Sequence, residues 1–188
     1  MNGILKALKA IVSWLDKHRI PYMVIGGMAR SLYGIPRQTF DVDVKIVFET
    51  DEDAERFVHE IPKTWYPVPE DPVQFMKETL VLPVKAGGIT VNFVRAMLPY
   101  EKEAVERSLV KAVGRTKIQV VTPEDLIVQK AVSTRLKDWS DIVDIVRKFG
   151  KELDWELIVI HASDLSKHLD RPEILKRIIR LRDGSRVP

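Results

Sequence analysis

Asp41 and Asp43 stand one residue apart in the run Thr39-Phe40-Asp41-Val42-Asp43-Val44. Along a strand, side chains alternate between faces, so the two carboxylates share one side while Val42 and Val44 take the other. Aspartate is depleted in strands, and two anions side by side repel. On these residues alone two readings are open. One is a solvated edge strand, where water screens the repulsion. The other is an inward face that holds a cation, and Mg²⁺ bound by one or two carboxylates plus substrate phosphates fits it. Upstream, Tyr22-Met23-Val24-Ile25 reads as a short buried strand running straight into Gly26-Gly27. Glycines let a backbone approach a ligand closely, and the start of a following helix offers N–H groups to phosphate oxygens. Many strand-to-helix turns use such a pair with no ligand at all.

A second set of charged residues lies downstream. Thr122-Pro123-Glu124-Asp125 opens a helix with an N-cap, a proline at the first position and acids in the first turn. At about 100° per residue, Lys130 falls between Leu126 and Ile127 on the apolar arc of that helix, and Arg135 in the middle of the same arc. Bases on an inward face are costly unless they meet anions. A phosphate would satisfy them, and so would Asp138 and Asp141. The alternative is a structural ion pair, such as Lys137 with Asp141 or Asp144 with Lys148. Other chemistry is thin. His18, His59, His161 and His168 are scattered, cysteine is absent, and neither a Walker-type phosphate loop nor a nucleophile elbow occurs. Trp65-Tyr66 could stack on a base, but packing is the commoner use.

The elements that must position these residues can be read from periodicity and punctuation. Residues 2–19 predict an amphipathic helix with Ile4, Leu8, Ile11 and Leu15 on one stripe, ended by Pro21. A membrane-surface role for it is open, though such a stripe more often packs on its own core. Residues 28–33 predict a short helix closed by Gly34 and Pro36, and 41–48 the aspartate strand. An acidic helix follows at 51–60, then a Pro-rich loop at 62–72. Runs at 80–84 and 89–94, joined across Gly87-Gly88, predict a hairpin, and 110–113 with 117–121 around Gly114 predict another. A short helix at 101–107 lies between the hairpins. From 123 to about 181 the pattern is helical, with breaks near Gly150 and Pro172. This order predicts an α+β plan in one domain: a core over about 1–121 and a helical C-terminal part over 122–188.

Composition bounds the answer further. The 188 residues, 45% hydrophobic and 30% charged, describe an ordered globular chain with room for one ordinary domain. No apolar run has the length of a membrane span, and the N-terminus, broken by Lys6 and Lys9, lacks a signal-peptide pattern. No membrane partner and a cytoplasmic location are the resulting expectations. The net charge of +3 is unevenly placed: residues 1–40 carry six bases against one acid, and 41–79 eleven acids against four bases. From 165 onward there are seven bases against three acids. Basic ends suit a polyanionic partner, and solvated helix faces account for them equally well.

The combination is more specific than its parts. Gly26-Gly27-Met28-Ala29-Arg30, then Arg37-x-Thr39-x-Asp41-x-Asp43, resembles the signature of the DNA polymerase β-like nucleotidyltransferase superfamily. It is most similar to the abortive-infection (AbiEii) toxin branch. Pro123-Glu124-Asp125-Leu126 with Lys130, and Arg135-x-Lys137-Asp138-x-x-Asp141, resemble that branch's second motif pair, so the likeness spans about residues 20–150. It implies a polymerase β-like palm. It also implies Mg²⁺ (or Mn²⁺) on Asp41 and Asp43, and nucleotide phosphates at Gly26 and Gly27. Arg30, Arg37, Thr39, Arg135 and Asp138 would contact the nucleotide, with Lys130 as a further catalytic residue. For Arg30 a helix-surface base and for Arg37 a loop base are the plain alternatives. The implied reaction moves an NMP from an NTP to a hydroxyl of RNA, such as a tRNA 3′ end, or of a partner protein, as in a toxin–antitoxin pair.

One position departs from the pattern. The family generally carries a third carboxylate on a neighbouring strand, and the matching strand here, 89–94, has Asn92 at that point. Asparagine can lend an oxygen to a metal but cannot act as a base. The alternatives to an active transferase are therefore a weakened nucleotide-binding or regulatory module and an antitoxin-like interaction protein.

Overall fold

Strand β1 (Tyr22–Ile25) and strand β2 (Asp41–Ile46) pair antiparallel and form the middle of the sheet. Tyr22, Met23 and Val24 are buried on β1, and Val42, Val44 and Ile46 on β2. The computed structural model describes residues 2–36 and 38–184, so Arg37 lies outside the described residues. The chain forms two compact units, Met1–Val121 and Thr122–Pro188.

In the first unit, helix α1 (Asn2–Lys17) buries Leu8, Ile11 and Leu15 completely. Each such side chain contributes about 1.5–3 kcal/mol of burial. The stripe is therefore taken up by the protein's own core, except at Ile4, which stays half-buried. Helix α2 (Gly26–Leu32) begins at the glycine pair itself, two residues before the sequence reading placed it. Helix α3 (Asp51–Glu60) starts in a capping box between Thr50 and Asp53.

The stretch expected as a Pro-rich loop contains strand β3 (Trp65–Pro67), and helix α4 (Pro72–Thr79) starts at its end. The Asp71 side chain caps α4 by accepting from the Gln74 N–H at 2.9 Å, with Pro72 at the first turn. Trp65 is buried against Trp14 and Phe93, with ring centroids 5.5 Å and 6.2 Å away. The two expected hairpins form, as β4 (Val81–Ala86) with β5 (Ile89–Arg95) and β6 (Leu109–Val113) with β7 (Thr116–Val120). Helix α5 (Pro99–Glu106) lies between them in sequence.

The sheet order among the described residues is β3-β4-β5-β2-β1-β7-β6. β5 pairs parallel to β2, and β7 parallel to β1, so the sheet is mixed. That register sets Asn92 beside Asp43 and Thr90 beside Asp41.

The second unit is helical: α6 (Pro123–Ala131), α7 (Leu136–Phe149), a 3₁₀ turn at Gly150–Glu152, α8 (Trp155–His168) and α9 (Glu173–Arg182). The breaks at Gly150 and Pro172 fall where expected, and a further one separates α6 from α7 at residues 132–135. Arg135 therefore does not lie on the apolar arc of α6. It sits exposed at the N-cap of α7. Among the described residues, no helix is long and apolar enough to cross a membrane.

Candidate active site

The alternation of β2 puts Asp41 and Asp43 on one face, both half-buried, while Val42 and Val44 are fully buried on the other. Asp41 is steadied from its own loop: the Thr39 hydroxyl donates to Asp41 Oδ1 at 2.9 Å. Asp43 is steadied across the parallel pair, where Asn92 Nδ2 donates to Asp43 Oδ1 at 2.9 Å. Asn92 thus occupies the strand position of the expected third carboxylate and spends its amide orienting one of the two present.

The glycine turn closes the other side of Asp43. Gly26 has φ of +65°, a left-handed conformation that favours glycine. A Cβ built there would lie 2.2 Å from Asp43 Oδ2. The position is therefore glycine for two independent reasons, backbone conformation and the carboxylate lying against it. Gly27 and Arg30 are buried on α2, so Arg30 is not a helix-surface base. The Ser31 hydroxyl donates to the Gly27 carbonyl at 3.1 Å.

A charged pair that sequence reasoning missed lies on the same face of β2. Lys45, two residues beyond Asp43, is buried, and its Nζ donates to Glu101 Oε1 on α5. Glu101 Oε2 accepts from the N–H groups of Met97 and Leu98 at 2.9 Å and 3.1 Å. Burial alone pushes the Glu101 carboxyl up. The Lys45 charge, its hydrogen bond and the two backbone donors outweigh that and hold it below the usual carboxylate range. The signal available in sequence was the Asp-x-Asp-x-Lys alternation, but nothing local pointed to Glu101.

Within the helical unit, Lys130, Arg135, Asp138 and Asp141 form one cluster. Lys130 Nζ donates to Asp138 Oδ1 at 2.8 Å and to Asp141 Oδ2 at 2.7 Å, all three side chains being buried. Asp138 Oδ2 also accepts from Ser133 at 2.8 Å and from Arg135 Nε at 2.7 Å. Burial pushes the Asp138 carboxyl up, but the bonds from Lys130, Ser133 and Arg135 and the Lys130 charge bring it down to about 2. The inward Lys130 is thus satisfied by acids of its own unit. The pairs considered from sequence named Lys137 for Asp141 and Lys148 for Asp144. Asp141 is held by Lys130, and Arg147 lies 3.6 Å from Asp144. Ser133 was not singled out in the sequence.

Residues 4–180 match the model of a family described as nucleotidyl transferase of unknown function (DUF2204). The chain belongs to this family. None of the curated proteins matches it. Among solved structures, this nucleotidyl transferase is similar to an antigenic nucleotidyltransferase-like protein from Paracoccidioides brasiliensis. The identity is 18%, the cover 93% of each chain and the TM-score 0.54. It is also similar to the antibiotic-resistance factor ANT(2'')-Ia, at 15% identity over 87% of this chain and 91% of that one, with TM-score 0.56. A crystal structure of ANT(2'')-Ia in complex with adenylyl-2''-tobramycin gives 16% identity, 89% and 95% cover, and TM-score 0.53. These likenesses place the chain in the polymerase β-like nucleotidyltransferase fold, an α+β architecture.

A divalent cation of the kind nucleotidyl transferases use is compatible with Asp41 and Asp43. They share one half-buried face, their outer hydrogen bonds orient them, and the bare Cα of Gly26 lets the Asp43 carboxylate lie against the turn. Among the described residues, no group of three His, Cys, Asp or Glu side chains could hold a metal, in keeping with asparagine at position 92.

Proposed function

We propose that this nucleotidyl transferase moves an NMP from an NTP to an acceptor hydroxyl, using Asp41 and Asp43 on β2 as its metal-holding pair. One observation carries the reading: both carboxylates are half-buried on one strand face, each steadied by its own hydrogen-bond donor, against a glycine that has no room for a side chain. In the reaction the acceptor oxygen bonds to the α-phosphorus as the bond to the β-phosphate oxygen breaks, and pyrophosphate leaves. A bound Mg²⁺ or Mn²⁺ would supply charge neutralisation for the phosphates. Asp41 and Asp43 are the bases this strand face offers, because Asn92 cannot take the acceptor's proton. The Gly26-Gly27 turn, with Arg30 and Arg37, is assigned to the phosphates, and Thr39 to holding Asp41. Lys130 and Asp138 are assigned to positioning α6 against α7. Arg135, with 66% of its side chain exposed, is the cation of that cluster open to a polyanion.

The resemblance to the abortive-infection branch would make the acceptor RNA or a protein hydroxyl, and a toxin role belongs to that reading. A second reading rests on Asn92: a weakened enzyme that binds nucleotide and transfers slowly. The test is to incubate the purified protein with each α-³²P-labelled nucleotide, Mg²⁺, total RNA and a small-metabolite extract. A doubly substituted Asp41→Asn/Asp43→Asn control runs beside it. Label should move to an acceptor with the intact pair and fall on the order of 10²–10³-fold without it. Equal labelling by both proteins would refute the assignment, and nucleotide binding without transfer would favour the second reading.

A further inference from the structure

A cavity of about 330 Å³ opens between α1 and α2 in the first unit. Ile4 and Leu5 wall it from α1, Met28 and Leu32 from α2, and Ser31, Gln38 and Thr39 supply its polar rim. Two of those rim groups also belong to the candidate active site: the Thr39 hydroxyl holds Asp41, and the Ser31 hydroxyl holds the Gly27 carbonyl. The cavity therefore abuts the aspartate pair and the glycine turn.

Its chemistry narrows its occupant. The volume falls within the roughly 300–1,000 Å³ of small-molecule sites, and apolar walls with a few polar groups are the usual lining of one. None of the described residues lining it carries a charge. Such walls suit the faces of a neutral ring, and the hydroxyl and amide groups of the rim suit hydroxyls carried on it. A cavity of similar size, about 310 Å³, shows the contrast: it is lined by Glu49, Asp53 and Glu60 together with Arg19 and Arg56. The half-buried state of Ile4, the one member of the α1 stripe that the core leaves uncovered, fits a wall kept for a ligand.

We propose that this cavity seats the ring portion of a small, uncharged, hydroxyl-bearing acceptor and sets the transferase's specificity. The inference rests on the transfer reading given above and names its acceptor class. The acceptor's hydroxyl oxygen would bond to the α-phosphorus of the NTP, its proton passing to a carboxylate or water, and pyrophosphate would leave with the electron pair of the broken bond.

The probe is phenyl β-D-glucopyranoside, a neutral ring bearing hydroxyls, followed by methyl NMR on protein labelled at Ile, Leu and Met. Bulk tRNA is run as a separate arm, and Mg-ATP binding is measured by calorimetry. The glucoside should shift the methyls of Ile4, Leu5, Met28 and Leu32. Two variants fill the cavity from opposite walls, Ile4→Trp and Leu32→Trp. Each should weaken glucoside binding at least about tenfold while leaving Mg-ATP binding within about twofold, with melting curves confirming that both fold. Bulk tRNA shifting those methyls in place of the glucoside would overturn the proposal, as would loss of Mg-ATP binding in folded filled variants. Mg-ATP binding with no glucoside response sinks the acceptor assignment alone. Failure to bind either ligand sinks the transfer reading with it.

Discussion

Under the proposed transfer reading, Asn92 and Asp43 are the pair that decides how well the site works. The Asn92 amide donates to Asp43 and lowers the cost of keeping a carboxylate half-buried. Asn92→Asp removes that donor and sets a like charge beside Asp43. Without metal, the variant should melt lower than the parent by about 3–8 °C, from a loss of about 1–3 kcal/mol. Mg²⁺ should raise its melting temperature more than the parent's, and transfer should rise about tenfold. A variant whose melting ignores Mg²⁺ would place Asn92 outside any metal site. Gly26→Ala probes the same carboxylate from its other side. With φ at +65° and a Cβ driven to 2.2 Å from Asp43 Oδ2, it should destabilise the fold by about 1–3 kcal/mol and weaken Mg-ATP binding more than tenfold. Calorimetry and a denaturant melt check both.

Between elements, the join of α6 to α7 is electrostatic as well as apolar. Lys130→Met would leave Asp138 and Asp141 buried without their shared ammonium, at a cost of about 3–5 kcal/mol in a denaturant melt. The same cluster makes a pH prediction. The folded Asp138 carboxyl lies at about 2, below its ordinary 3.8, so its contribution is complete above pH ~4 and is lost as pH falls toward 2. That difference corresponds to about 2 kcal/mol. Acid melts of the parent should lose that amount across this window, and Asp138→Asn, though less stable at neutral pH, should show a flatter profile there. The elements themselves were unevenly legible. Thr122-Pro123 announced α6, and Asp71-Pro72 carries the same cap-and-proline signature for α4, yet four prolines nearby made 62–72 read as loop. Trp65 entered a strand because its ring packs on Trp14 and Phe93, contacts that no window of sequence contains.

At the scale of the whole molecule, the sheet decides what sequence can reveal. Asp41 and Asp43 were legible because strand alternation is local, and Asn92 because its strand carried a recognisable pattern. Lys45 and Glu101 lie 56 positions apart, and only the fold brings them together. Arg135 was misplaced because a four-residue break reset the helical phase. The sheet order also localises a ligand's effect. Mg-ATP held at the β1–α2 turn and β2 should slow amide exchange most at β1, β2 and β5, the neighbours of the aspartate strand. At a hundredfold excess over Kd the gain is about 2.7 kcal/mol, or roughly a hundredfold in exchange rate. Uniform protection across β3 and β6 as well would argue against this binding place.

The Asn92 bridge also has a genetic reading. Codons for asparagine and aspartate differ by a single first-base transition, so the third carboxylate is one point mutation away. The two side chains are nearly the same shape, and in either state Asp43 has a partner: the asparagine amide, or a cation shared with aspartate. A lineage carrying this strand could gain or lose a carboxylate there in one step without rebuilding the sheet. If the proposed transfer runs at this strand, its rate is a trait that selection can turn up or down while the fold stays put.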